Sequence, residues 1–304
     1  MTTRGRGAGT ARRWWVALLG AVLAAGAARA EPVEIRPPAP GPGEVFEVRL
    51  EDPGPGGPWR VRFDGREFLL WPSPEGGWEG LVAVDRDAPP GEREIEVRSR
   101  EGRVAWSAAV TVAPREYGVQ RLVVSERMVT LSPEDAARAA RETRLIRETL
   151  AGISAPRLWE GPFRVPARGP VSSPFGTRRV YNGKPRSYHS GLDIAAPRGA
   201  EVRAAAAGRV ALAREFFYTG RTVFLDHGLG LFTAYFHMDT IRVKEGEPVE
   251  AGAVLGTVGS TGRSTGPHLH WGVYLDGVKV DPLSLVRVTG GDRTALTGTG
   301  GRGE

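Results

Sequence analysis

His268 and His270 are separated by a single residue in the stretch Gly-Arg-Ser-Thr-Gly-Pro-His-Leu-His-Trp, residues 262–271. Strand side chains alternate between faces, so a short strand here points both imidazoles the same way. Leu269, Trp271 and Val273 then point to the opposite face, into a core. Gly262, Gly266 and Pro267 make the preceding segment a turn beside which the pair sits. A second candidate group is His189-Ser190-Gly191-Leu192-Asp193. A His and an Asp four apart, with Gly between them, can converge on one metal if a turn brings them together. One imidazole from His268 or His270 would complete a set of two nitrogens and a carboxylate oxygen. Three protein ligands with an open fourth position are what a catalytic zinc needs. Either motif alone is common, but both occur in a chain with five histidines and no cysteine. Together they point to a metal centre.

The elements that must hold these residues are mostly strands. From Glu44 to Ala113 short runs alternate: Phe46, Val48 and Leu50; Trp59, Val61 and Phe63; Ile95 and Val97; Val104, Trp106, Ala108, Val110 and Val112. Turn signals such as Asp64-Gly65 and Pro89-Pro90-Gly91 separate them. That spacing predicts a small antiparallel sandwich, immunoglobulin-like, over 31–114, with no cluster of His, Asp or Glu that looks like a site. A connector follows over 115–158. Its helix, 132–151, opens on Ser132 as N-cap, Pro133 in the first turn and the acids Glu134 and Asp135, and stops at Gly152. It is too polar for a core and reads as a connector laid against its neighbours. Over 159–287 the chain is β again, with the expected strands Glu201–Ala205, Gly208–Ala213, Thr222–Asp226, Leu231–Phe236, Val254–Val258 and His268–Leu275. The Gly/Thr-rich tail, 288–304, is expected to be disordered.

The start of the chain has a different character. Residues 1–30 hold five arginines and no acid, an apolar run from Trp14 to Ala28, and then Ala28-Arg29-Ala30. This is the pattern of a signal peptide cleaved after Ala30, and the run falls short of the ~20 residues of a spanning helix. The expected location is therefore periplasmic or secreted. Removing five arginines turns 41 Lys+Arg against 35 Asp+Glu into 36 against 35. A nearly neutral chain gives no reason to expect a nucleic-acid partner. The lack of cysteine excludes disulfides, thiolate metal sites and a lipidated N-terminal Cys.

Further pieces fall in a recognisable order. They are Ser173-Pro174-Phe175-Gly176-Thr177-Arg178, the His189–Asp193 group, Tyr235-Phe236-His237-Met238, the series Gly246, Val249, Gly252, Val254 and Gly256, and Gly259-Ser260-Thr261-Gly262 before His268-Leu269-His270. From about Phe163 to Leu285 the chain resembles the M23 zinc metallopeptidases, the LytM/lysostaphin-type peptidoglycan endopeptidases. The resemblance implies an antiparallel β-sandwich with zinc in a groove, held by His189, Asp193 and His270. His237 and His268 would be the two unliganded active-site histidines. It also implies cleavage of cell-wall peptidoglycan, with D,D-cross-links favoured over glycine bridges. The alternative is a non-catalytic relative that activates a cell-wall amidase. An amidase or another envelope protein would then meet the N-terminal domain. Arg178 would hold the loop before the metal site, and Tyr181 or Tyr188 would reach the substrate carbonyl. His227, in the turn Asp226–Gly230, is expected to cap a hairpin. One departure stands out: Gly272 occupies a position, two after His270, where the family usually has an acid.

Overall fold

The computed structural model describes residues 33–51, 57–123, 131–154 and 156–296. The expected leader and residues 297–304 of the expected tail lie outside them.

Eight strands make up the N-terminal region: β1 (Val33–Arg36), β2 (Val45–Leu50), β3 (Arg60–Phe63), β4 (Arg66–Leu69), β5 (Trp71–Pro72), β6 (Trp78–Ala83), β7 (Gly91–Arg98) and β8 (Val104–Val112). They form two four-stranded sheets in the orders β1-β2-β6-β5 and β4-β3-β7-β8. Every pairing is antiparallel. This is the immunoglobulin-like arrangement, and it follows from the alternation. Phe46, Val48, Trp59, Val61, Phe63, Ile95 and Val97 are all buried between the sheets. The first half of β8 departs from the expected pattern, since Val104 is 44% exposed while Val110 and Val112 are buried. β8 ends its sheet, and its early residues run past the core.

The connector supplies β9 (Val119–Leu122) and α1 (Pro133–Ala151). Ser132 Oγ accepts from the Asp135 N–H at 3.1 Å, and the Gly152 N–H donates to Thr149 O at 3.1 Å, so the helix starts and stops as its sequence dictates. Leu145, Ile146 and Leu150 form a narrow apolar stripe, which packs on Leu212, Phe224, Phe236 and Tyr274.

The C-terminal region contains β10 (Val171–Ser173), β11 (Arg178–Tyr181), β12 (Lys184–Tyr188), β13 (Leu192–Ile194), β14 (Glu201–Arg203), β15 (Gly208–Phe216), β16 (Gly220–Asp226), β17 (Leu231–Ile241), β18 (Pro248–Val249), β19 (Val254–Val258), β20 (Leu269–Leu275) and β21 (Val278–Val280), followed by α2 (Pro282–Val288). The main sheet runs β10-β13-β20-β17-β16-β15-β18, with β21 beside β20 and β19 bridging β17 and β14. One face packs Val223, Leu225, Tyr235, Leu269, Trp271 and Val273 into the core. The other carries Phe224, Phe236, Tyr274 and His270. A separate sheet, β12-β11-β9, brings the connector strand parallel to β11.

α2 was not anticipated. Asp281 caps it, accepting from the Leu283 N–H at 3.0 Å. It ties the two β regions together: the Val45 N–H donates to Ser284 Oγ at 3.0 Å, and Arg115 pairs with Asp281 at 2.6 Å. A single apolar cluster runs through both regions. Beyond the expected boundary at 287 the chain stays packed, with the Gly169 N–H donating to Ala295 O at 3.2 Å and Leu296 resting on the core.

Candidate metal centre

Strand pairing brings the first two residues together. β13 lies antiparallel to β20 with Asp193 directly opposite His270. His189 reaches the same point because Gly191 lets the chain turn tightly over β20: a Cβ there would lie 2.6 Å from His270 Nε2. The three donor atoms form a small triangle. His189 Nε2 is 2.9 Å from Asp193 Oδ1 and 2.9 Å from His270 Nδ1, and the last two atoms are 2.8 Å apart. All three residues are buried.

Protons decide what this triangle can hold. His189 Nδ1 is 2.9 Å from Pro174 O, and a carbonyl can only accept. A proton therefore sits on Nδ1, and Nε2 is the nitrogen that faces Asp193 and His270. Burial pushes His270 down to about 4, so its ring is neutral near pH 7. Burial alone would raise Asp193, but hydrogen bonds and charge from His189 and His270 outweigh it and hold the carboxyl well below the usual range. Two imidazole nitrogens and a carboxylate oxygen thus converge on one buried point, which suits a cation. Tetrahedral zinc with bonds of about 2.05 Å needs ligand atoms roughly 3.3 Å apart. The triangle would have to open by only about half an ångström, so the donor set fits.

His237 and His268 stand beside it. Their rings are 4.8 Å apart, and His268 Nε2 is 3.8 Å from Asp193 Oδ1. His237 Nδ1 donates to Thr261 O at 2.8 Å and His268 Nδ1 to Gly266 O at 2.9 Å. Both carbonyls keep a proton on Nδ1, so Nε2 is the nitrogen of each ring left to face the groove. Burial, then the neighbouring His268 and His270, lower His237 to about 3.

His237 is on this face for a reason that alternation does not give. Phe236 already faces the groove, stacked on His270 at 5.0 Å with ring planes 4° apart. The next residue of a regular strand would face the core. Instead the β16–β17 register shifts between Tyr235 and Met238, and His237 takes φ +62°. A left-handed non-glycine residue at a bulge costs on the order of 1 kcal/mol and turns the side chain back to the groove.

The groove is a cavity of about 280 Å³ whose walls include Arg179, Tyr181, His237 and His268. Tyr181 is therefore the tyrosine beside the site, while Tyr188 packs against Phe175 with ring centres 6.0 Å apart. The arginine expectation needs correcting. Arg178 is exposed, and its neighbour Arg179 donates to Asp193 Oδ2 at 3.1 Å. Arg179 and Tyr181 are two apart on β11 and share its groove-facing side, a relation the same alternation rule would have exposed. Gly272 sits on β20 with its open side towards Ala234 and the Tyr274 ring. His227 stands in the turn between β16 and β17 as expected, its backbone N–H donating to Leu231 O at 2.9 Å, and its ring is fully buried. Its nitrogens meet Ala207 O at 2.7 Å and Thr233 Oγ1 at 2.8 Å.

Comparison with known proteins agrees with this geometry. Residues 187–282 match the model of peptidase family M23. The chain is 41% identical over 119 residues to the DD-carboxypeptidase/endopeptidase Mpg of Neisseria meningitidis, which covers 39% of this chain and 27% of that protein. It is 36% identical over 122 residues to the peptidoglycan DD-endopeptidase ShyA of Vibrio cholerae, covering 40% of this chain and 28% of that one. The chain thus spans just over a quarter of the length of these relatives. A putative peptidase M23 from Pseudomonas aeruginosa has a similar solved structure, with TM-score 0.65 and 34% identity over 82% of this chain and 96% of that one. With that extent of shared sequence and fold, the chain belongs to peptidase family M23.

Proposed function

We propose that this chain is a zinc-dependent endopeptidase that hydrolyses peptide cross-links of bacterial cell-wall peptidoglycan. His189, Asp193 and His270 hold the metal, and His237 and His268 handle protons. The reading rests above all on three converging donor atoms beside two imidazoles whose Nδ1 atoms are held by backbone carbonyls. Zinc bound there supplies a Lewis acid and lowers the pKa of a bound water from about 15.7 to about 7.

The chain's own residues do the rest. Thr261 O and Gly266 O keep the proton on Nδ1 of His237 and His268, so either Nε2 can take the proton of an attacking water. Once protonated, that nitrogen becomes a donor. It can stabilise oxyanion charge or pass the proton to the departing amine. Arg179 fixes the Asp193 carboxylate from behind, at 3.1 Å. Tyr181 lines the groove wall, which supports a role for it at the substrate carbonyl.

D,D-cross-links are the favoured substrate because the relatives are named DD-endopeptidases. The Arg-rich start and Ala28-Arg29-Ala30 support export to the periplasm or beyond, with cleavage after Ala30. The amidase-activator reading needs no complete proton-handling set, and no feature of the site favours it. The test offers the protein a purified cross-linked muropeptide dimer and pentaglycine, with and without chelator. Chelator-sensitive conversion of the dimer to monomers, with pentaglycine intact, is the expected result. Cleavage of pentaglycine alone would overturn the substrate class. Inactivity on both, with stimulation of an amidase, would overturn the enzyme reading.

A further inference from the structure

The loop Ser173–Thr177 wraps His189. The Gly176 N–H donates to His189 O at 2.8 Å, the His189 N–H donates to Thr177 O at 2.8 Å, and His189 Nδ1 donates to Pro174 O at 2.9 Å. That last contact sets which nitrogen faces the metal site. What holds the outer side of the loop comes from the other end of the chain. Arg86, in the segment between β6 and β7, donates from its guanidinium to Gly176 O at 2.8 Å. It is only 8% exposed. Its guanidinium lies 4.6 Å from the Tyr117 ring centre and 4.8 Å from that of Tyr188. Phe175 sets its edge against both rings, at 6.2 and 6.0 Å.

The contact with the loop is direct. Gly176 has φ +82°, and a Cβ there would lie 1.9 Å from the Tyr117 ring. The aromatic clamp therefore presses on bare backbone, and only glycine allows it. Stripping water from a guanidinium is costly, and a planar cation held between two rings recovers part of that cost. Its carboxylate partner is Asp87, the next residue, which does not reach the loop.

We propose that Arg86, contributed by the immunoglobulin-like region, is a positioning residue for the metal centre of the peptidase region. By fixing the Gly176 carbonyl it fixes the turn that carries Pro174 O, and so the orientation of His189. On this view the N-terminal region is part of the metal site's support rather than a spacer. The proposal rests on the metal reading above, so its test begins with the wild type.

Zinc affinity of the full metal-free chain would be measured by competition with a chromogenic chelator. The visible absorption of the cobalt-substituted protein would be recorded beside it. Arg86→Ala should bind zinc about 10- to 100-fold more weakly, as loss of a group that orients a ligand does, and should shift the cobalt bands. Arg86→Lys, which keeps a donor but not the planar stack, should fall between the two; it decides the matter if Arg86→Ala does not fold. Ser284→Ala removes a buried bond at the same inter-region contact, far from the loop in the bonding pattern. It should lower the thermal midpoint while leaving zinc affinity within twofold. A folded Arg86→Ala protein with wild-type affinity and cobalt spectrum would overturn the proposal. So would an equal loss of affinity in Ser284→Ala. A wild type that binds no zinc would instead sink the metal reading itself.

Discussion

The main sheet carries a buried histidine on each face, and the two are wired in opposite ways. His227, behind the sheet, has both nitrogens engaged: Nδ1 meets Ala207 O, and Nε2 meets Thr233 Oγ1, which in turn meets Tyr235 Oη at 2.9 Å. Tyr235 Oη accepts from the Ala205 N–H at 2.9 Å. Every polar atom of that chain has a protein partner, and the group closes on itself. On the groove face, His270 turns Nδ1 towards another imidazole nitrogen and a carboxylate oxygen. Burial alone does not separate the two, since both histidines are pushed down to about 4 by desolvation. The difference lies in what the ring nitrogens meet. A buried histidine whose nitrogens end on ordinary hydrogen-bond partners is scaffold, and one whose nitrogen converges with two other metal-ligating atoms is a site.

The sharpest break of that comparison is removal of a converging atom. His189→Ala or Asp193→Ala should reduce peptidase activity to background in a muropeptide digestion assay, because the metal has lost a ligand. His237→Ala and His268→Ala should lower turnover by ~10²–10⁴. Their Nδ1 atoms bond Thr261 O and Gly266 O, with Ser264 Oγ also near that of His268, and neither ring is among the three converging ligands, so bound zinc, read by elemental analysis, should stay. Arg179→Ala should act one step further out. It should weaken zinc binding by about 10- to 100-fold, measured by chelator competition, because Asp193 loses the group behind it.

The smallest effect belongs to the other face. His227→Gln should leave zinc content and turnover near wild type and change only the pH dependence of stability. In the fold His227 titrates at about 4, against an ordinary 6.5. Between those values the unfolded chain binds more protons, so stability falls as pH falls. The histidine's contribution is complete above 6.5 and gone near 4, a swing of about 3 kcal/mol. Denaturant unfolding from pH 7 to pH 4 should show a shallower fall in the variant than in the wild type. Parallel curves would mean that His227 is not held neutral by the fold.

Much of this was legible in the chain. Alternation around His268–Val273 placed Leu269, Trp271 and Val273 in the core and His270 in the groove, and the structure keeps that division. The Ser132-Pro133 start of α1 was plain, and Asp281-Pro282 carries the same signal for α2, which went unread because the helix is only seven residues long. His237 was placed by resemblance alone, since no period-two rule puts consecutive residues Phe236 and His237 on one face. The bulge that does so is set by long-range pairing of β16 with β17. Arg86 was invisible for the same kind of reason. Its loop contact joins residues 90 positions apart, and the surrounding segment gives no local hint of it.

The most direct measurement is metal content by elemental analysis of three purified proteins: wild type, His189→Ala and His227→Gln. One zinc per chain in the wild type and in His227→Gln, with none in His189→Ala, is the expected result. Zinc retained in His189→Ala, or lost from a folded His227→Gln, would contradict the assignment of site to one face and scaffold to the other.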